Sequence, residues 1–223
     1  SGPGAIQGAG SGTECVVSCV FTNNMSWSGR GVGGGVSVWS NCTFVANSVR
    51  AISEEGGNAG ILGGKVVHCV FRGQFNTTFD DRHSDARLPC THVETGAFRA
   101  RNSAVDCDLV DCDVNGSVMG GSAERCAFWG ITNTYGVVGD NCYLTNCIIR
   151  DNFMPGKHLI VNMNAKRDPV LVNCTVVNNT CRMFLTTNAV AVNTIFYNNI
   201  DANGTTRMDV NCNSDYGVAL TNC

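Results

Sequence analysis

One short unit recurs along this chain and leaves few folds open to it: a cysteine, an apolar residue two positions on, and often an asparagine five positions on. It reads Cys19-Val-Phe-Thr-Asn-Asn24, Cys42-Thr-Phe-Val-Ala-Asn47, Cys69-Val-Phe-Arg-Gly-Gln74 and Cys107-Asp-Leu-Val-Asp-Cys112. It continues as Cys126-Ala-Phe-Trp-Gly-Ile131, Cys147-Ile-Ile-Arg-Asp-Asn152 and Cys174-Thr-Val-Val-Asn-Asn179. Thr194-Ile-Phe-Tyr-Asn-Asn199 keeps the unit with threonine at its head, and Cys223 stands where one more copy would begin. Self-similarity with a period of about twenty residues or more marks repeat architectures, in which each unit buries its apolar face only against its neighbours.

The columns of this alignment have a strand's logic. Two residues after the anchor stand Phe21, Phe44, Phe71, Leu109, Phe128, Ile149, Val176 and Phe196, all apolar. Residues two apart on a strand share a face, so anchor and apolar residue point inward together. Just before the anchor stand Ser18, Asn41, His68, Asp106, Arg125, Asn146, Asn173, Asn193 and Asn222, all polar. Asparagine tolerates left-handed backbone angles and bonds its own main chain, which suits the bends that bracket short strands. Cys112 competes with Cys107 as the fourth anchor, but it would leave only 14 residues before Cys126, so Cys107 is the expected one.

The expected fold is therefore all-β, a right-handed parallel β-helix of about nine or ten coils, handed as parallel crossovers usually are. At ~4.8 Å per coil this makes a rod of about 45 Å. Helical repeats fit worse, because no segment sustains helical periodicity and Gly and Asn interrupt throughout. Residues 1–12 read as a flexible lead-in or processed end, and 13–223 as one domain with an irregular insertion near 74–101. The absence of a basic region and an apolar stretch makes the start unlike a secretion signal.

Composition narrows the function classes. Hydrophobic residues make up 43% of 223 and the net charge is only −3, enough apolar material to fold rather than stay disordered. No run approaches the ~18 apolar residues that a spanning helix needs, and no basic stripe invites a nucleic acid. Fourteen cysteines contain no CxxC pair, so the usual zinc and thioredoxin patterns are missing. Two uses remain open for them: buried thiols stacked along the axis, or disulfides among the off-column Cys15, Cys90, Cys112, Cys142, Cys181 and Cys212.

The stretch Gly33–Asn47 and the FxxN tetrapeptides at Phe21–Asn24, Phe44–Asn47 and Phe196–Asn199 resemble secreted right-handed parallel β-helix repeat proteins of bacterial surfaces. They are similar to the passenger domains of polymorphic outer-membrane proteins, and more broadly to the pectate-lyase-like superfold. The Gly-Gly element departs from the passenger pattern, reading Gly-Gly-Val or Gly-Gly-Lys. The resemblance implies an extracellular or cell-surface location, and a scaffold that carries adhesins, structural rods, lyases and hydrolases alike.

Two readings of function follow. The first is a non-enzymatic rod serving as surface structure, fibre subunit or adhesin, with no cofactor. Its expected partners are copies of itself stacked coil on coil at bare ends, and host or matrix glycans. The second is a Ca²⁺-dependent polysaccharide lyase acting on uronate-containing glycans. There the ionisable segment around Asp80, Asp81, Arg82, His83, Asp85 and Arg87, with Arg99 and Arg101 beyond it, would supply the site. Carboxylates would hold Ca²⁺ through oxygen, with an arginine or His83 as base or carboxylate clamp. Asp106 and Asp108, alternating with Asp111 and Asp113 around an inward strand, are weaker Ca²⁺ candidates facing out together. A GxGxxG match at Gly29–Gly34 precedes a strand rather than linking strand to helix, so it is no nucleotide site. Asn-x-Ser/Thr sequons at Asn24, Asn41, Asn76, Asn115, Asn173, Asn178 and Asn203 mostly coincide with repeat positions.

Overall fold

A computed structural model of the chain describes residues 5–7, 14–26, 32–34, 36–51, 61–73, 75–78, 102–115, 117–131, 136–139, 142–161, 168–185, 188–200 and 217–223. Within them the protein is an all-β parallel solenoid without helix. Its clearest wall is an eight-stranded sheet. In spatial and chain order it contains Val20–Thr22, Thr43–Val45, Val70–Arg72, Asp113–Val114, Ala127–Trp129, Ile148–Arg150, Thr175–Val177 and Ile195–Tyr197. Every neighbouring pair is parallel. The strand that precedes each of these in the chain lies in an eleven-stranded sheet, from Cys15–Val17 to Gly217–Thr221. Two smaller sheets make a third wall: Met25–Ser26, Ser48–Ala51 and Phe75–Thr78 in one, and Phe153–Val161 with Thr180–Leu185 in the other.

The repeat explains how a chain with a two-residue period turns a corner. In Trp39-Ser-Asn-Cys-Thr-Phe44 the buried residues are Trp39, Cys42 and Phe44. Simple alternation would put Asn41 inside and Cys42 outside. Asn41 instead takes φ of +53°, a left-handed step that adds one residue to the count and returns Cys42 to the interior. The same step recurs at Ser18, His68, Asp111, Arg125, Asn146, Asn173, Asn193 and Asn222, all with φ near +50°. A second left-handed column follows the strand at Asn23, Ala46, Gly73, Gly130, Asp151, Asn178 and Asn198, and it turns Asn47, Ile131, Asn152, Asn179 and Asn199 inward. Left-handed backbone costs an ordinary L-residue roughly 1–2 kcal/mol and Asn or Asp less, because their side chains bond locally. Both columns are accordingly rich in Asn and Asp.

Three inward columns pack the interior along the first two sheets. Trp39, Val66, Leu109, Ala123, Leu144, Leu171 and Ala191 run up the first sheet, in register and buried. Phe21, Phe44, Phe71, Val114, Phe128, Ile149, Val176 and Phe196 run up the second. The rings of Phe21 and Phe44 stack at 5.3 Å and those of Phe44 and Phe71 at 4.5 Å, while Trp39 meets Phe21 and Phe44 edge-on. The rings expected to share one axis do so.

The third column is the cysteine one, and here one expectation needs correcting. Cys112, not Cys107, heads the fourth unit. Cys112 is buried, follows the left-handed Asp111, and precedes the inward Val114, which sits between Phe71 and Phe128. Cys107 lies within the long strand Asn102–Val110, opposite Gly64 and Gly121 in the first sheet. Leu109 accordingly belongs to the Trp39 column, and Asp106 is a strand residue rather than a bend. The coil from Cys112 to Cys126 closes in 14 residues because strand Ser117–Glu124 starts almost directly after Val114. Ile6–Gln7, expected within a flexible lead-in, forms a short strand on Gly33–Gly34. Of the insertion expected near 74–101, Phe75–Thr78 is a strand; Cys90 and residues 79–101 lie outside the described residues.

Candidate functional site

Inside the solenoid the buried asparagines and the cysteine thiols hold coils together. Asn47, Asn152, Asn179 and Asn199 are buried, which is costly unless their amides are bonded. Asn179 shows how this is met. Its Oδ1 accepts from the backbone N–H of Asn152 at 3.2 Å and from Asn152 Nδ2 at 2.8 Å. Its Nδ2 donates to Asn199 Oδ1 at 2.9 Å and to the carbonyls of Ile149 and Val177 at 3.1 Å. Asn24 and Asn47 repeat the pattern near the other end.

The cysteine column behaves alike. Each thiol donates to the carbonyl two residues before it, as Cys69 does to Val67 and Cys174 to Val172. Several also reach a carbonyl of the preceding coil: Cys42 to Val16, Cys112 to Val66 and Cys147 to Ala123. Thr194, at the one non-cysteine position, makes the same bond to Val192 and accepts from the Cys174 N–H. None of Cys19, Cys42, Cys69, Cys112, Cys126, Cys147, Cys174 and Cys181 is in a disulfide. Burial pushes the Cys69 thiol up to about 12, and the Cys181 thiol likewise. Hydrogen bonding to neighbouring thiols, with burial, raises Cys126 and Cys174. Cys69, Cys126, Cys174 and Cys181 are thus shielded and protonated, unlike reactive thiolates, whereas hydrogen bonding to the Cys126 thiol pulls Cys112 and Cys147 down.

Outside, two clusters bridge coils. At the bend column Arg125 donates to both Asp111 oxygens, at 2.6 and 3.0 Å, and pairs with Glu124; His68 Nδ1 lies 3.9 Å from Asp111. Arg125 holds the Asp111 carboxyl below its ordinary range. On the outer face of the second sheet, Arg72 pairs with Asp113 at 2.5 Å and the Trp129 indole N–H donates to the same carboxylate. The Arg72 and Arg150 guanidiniums lie 4.8 and 5.5 Å from the indole centroid. Arg72, then Trp129, lowers the Asp113 pKa. No sequence signal marks this second cluster, whose members are brought together only by register.

Asp80, Asp81, Arg82, His83, Asp85, Arg87, Arg99 and Arg101 lie outside the described residues. Asp108 is exposed on the first sheet and accepts from Ser122 at 2.7 Å; the side chain of Asp106 lies outside the described residues. The acidic set expected to face out together is instead divided: Asp108 is on the first sheet, Asp111 at the bend and Asp113 on the second sheet. Arginines occupy the latter two. Among the described residues no three His, Cys, Asp or Glu side chains are placed to share a metal ion. No protein-family model and no curated protein matches this chain.

Proposed function

We propose that this chain is a non-enzymatic β-solenoid module of the cell surface or extracellular space, a rigid rod acting as surface structure, fibre subunit or adhesin. The observation that carries the reading is the assignment of polar chemistry within the described coils. Inward asparagines and thiols bond the coil above or below, and the outward Arg72, Asp111, Asp113 and Arg125 pair across coils. Cross-coil bonding at every level stiffens a solenoid along its axis. Each strand offers its neighbour the same register, so a further coil from another copy fits the stack, and outward side chains remain for matrix or host glycans. No cofactor is required by this reading.

The test is incubation of the protein with pectate, alginate and glycosaminoglycans, with and without Ca²⁺, while unsaturated products are monitored. Unchanged polymers, together with axially extended particles in electron micrographs, are the expected result. Ca²⁺-dependent product formation that Arg82→Ala abolishes would replace the rod by a polysaccharide lyase.

A further inference from the structure

The outer face of the second sheet carries large apolar side chains that the ladders do not use. Ile148 is 43% exposed, Ile195 61% and Tyr197 64%. They lie on the two outer members of three successive strands, Ile148–Arg150, Thr175–Val177 and Ile195–Tyr197, held in register. Because Ile149, Val176 and Phe196 point inward, the outward residues form two columns. One reads Ile148, Thr175, Ile195 and the other Arg150, Val177, Tyr197.

The pattern is symmetric about its middle strand, with isoleucine on both sides in one column and a cation facing an aromatic ring in the other. An anionic glycan is the weaker occupant, because Asp113 neutralises Arg72 and Asp151 pairs with Arg150 at 2.6 Å. The surface left unspent is apolar and aromatic, the composition of protein contacts rather than of polyanion sites.

We infer that this patch is a contact for a second copy of the chain. The two copies would be related by a two-fold axis parallel to the strands and passing over Thr175–Val177. This operation preserves strand direction and reverses coil order, so Ile148 of each copy meets Ile195 of the other, and Arg150 meets Tyr197. The coil spacing of ~4.8 Å is the same in both copies, so the columns stay in step. Arg150 then has the Trp129 ring of its own chain on one side and the Tyr197 ring of the other copy on the other, both favourable for a guanidinium. Every contact occurs twice, as a two-fold interface requires. Three strands make a small patch, so the dimer is weak and concentration-dependent. The contact is lateral and independent of any end-to-end stacking.

Sedimentation equilibrium over a wide concentration range is the experiment, with circular dichroism confirming that each variant is folded. The wild-type chain is expected to dimerise reversibly. Ile195→Lys should weaken the dimer by about tenfold or more, and Arg150→Ala by a few-fold. As an independent readout, Thr175→Cys under mild oxidant should give a peptide cross-linked between the two copies at position 175, because a residue on a two-fold axis meets itself. A wild-type chain that stays monomeric at the highest concentration overturns the inference. So does a dimer unaffected by Ile195→Lys, or absence of the symmetric cross-link.

Discussion

Replacing Asn179 by alanine removes one buried carboxamide and tests whether the asparagine ladder is structural. The lost Oδ1 is the acceptor for two donors of Asn152, its backbone N–H and its Nδ2, and Asn152 is itself only 1% exposed. A buried donor left without a partner costs about 1–3 kcal/mol. The backbone amide is held by its strand and has no other place to turn, whereas the side-chain amide of Asn152 can rotate in part. The expected loss is therefore about 3–4 kcal/mol, large against the ~5–15 kcal/mol that domains usually hold. The neighbouring Asn178 is the control. It is exposed, with φ of +56°, so Asn178→Gly keeps the left-handed step and should shift stability by less than about 1 kcal/mol. Urea unfolding followed by circular dichroism measures both, with the slope checked for loss of cooperativity. Amide exchange at Asn152 should accelerate by about a hundredfold or more in Asn179→Ala. If Asn179→Ala costs under about 1 kcal/mol, or Asn178→Gly costs as much, the ladder is not what ties these coils together.

Two further outcomes are expected from the same interior. Alkylation of the native protein without reductant should leave Cys42, Cys69, Cys112, Cys126, Cys147 and Cys174 unlabelled, and denaturation without reductant should expose all six; any that stay blocked would contradict the thiol column. Stability should also respond to pH at both extremes. Folding raises the Cys69 and Cys181 pKa values to about 12, so their contribution is full below the unfolded thiol value of about 8.5. It is lost as pH rises from there toward 12, at about 1.4 kcal/mol per pH unit for each thiol. Asp111 and Asp113 are shifted down, so their contribution is present above about pH 4 and disappears as pH falls through their folded values. Melting temperature against pH checks both limbs; a flat profile from pH 8 to 11 would show that the thiols are not sequestered.

Much of the solenoid was legible because its rules act on single positions. A bend that must take φ near +50° selects Asn41, Asn146, Asn173 and Asn193, and an inward column stacked on its own copies selects Phe44 and Phe71. The assignment at Cys107 failed for a physical reason. Cys107-Asp-Leu109 and Cys112-Asp-Val114 both satisfy a two-residue period, and only pairing partners tell which wall each occupies. Preference for the longer coil was misleading, since a coil needs only enough chain to span its strands. The outward clusters were illegible for a related reason: Arg72, Asp113, Trp129 and Arg150 belong to four different coils and carry no shared spacing. Their meeting depends on register, which a local motif does not encode.

The coil from Cys112 to Cys126 takes 14 residues, while the interval from Cys69 to Cys112 is much longer, yet both advance the stack by one strand. Chain length and axial height are thus uncoupled. Segments spliced into a corner between walls would leave the pitch untouched, so this scaffold offers ports at which foreign loops could be displayed at fixed heights along a ruler.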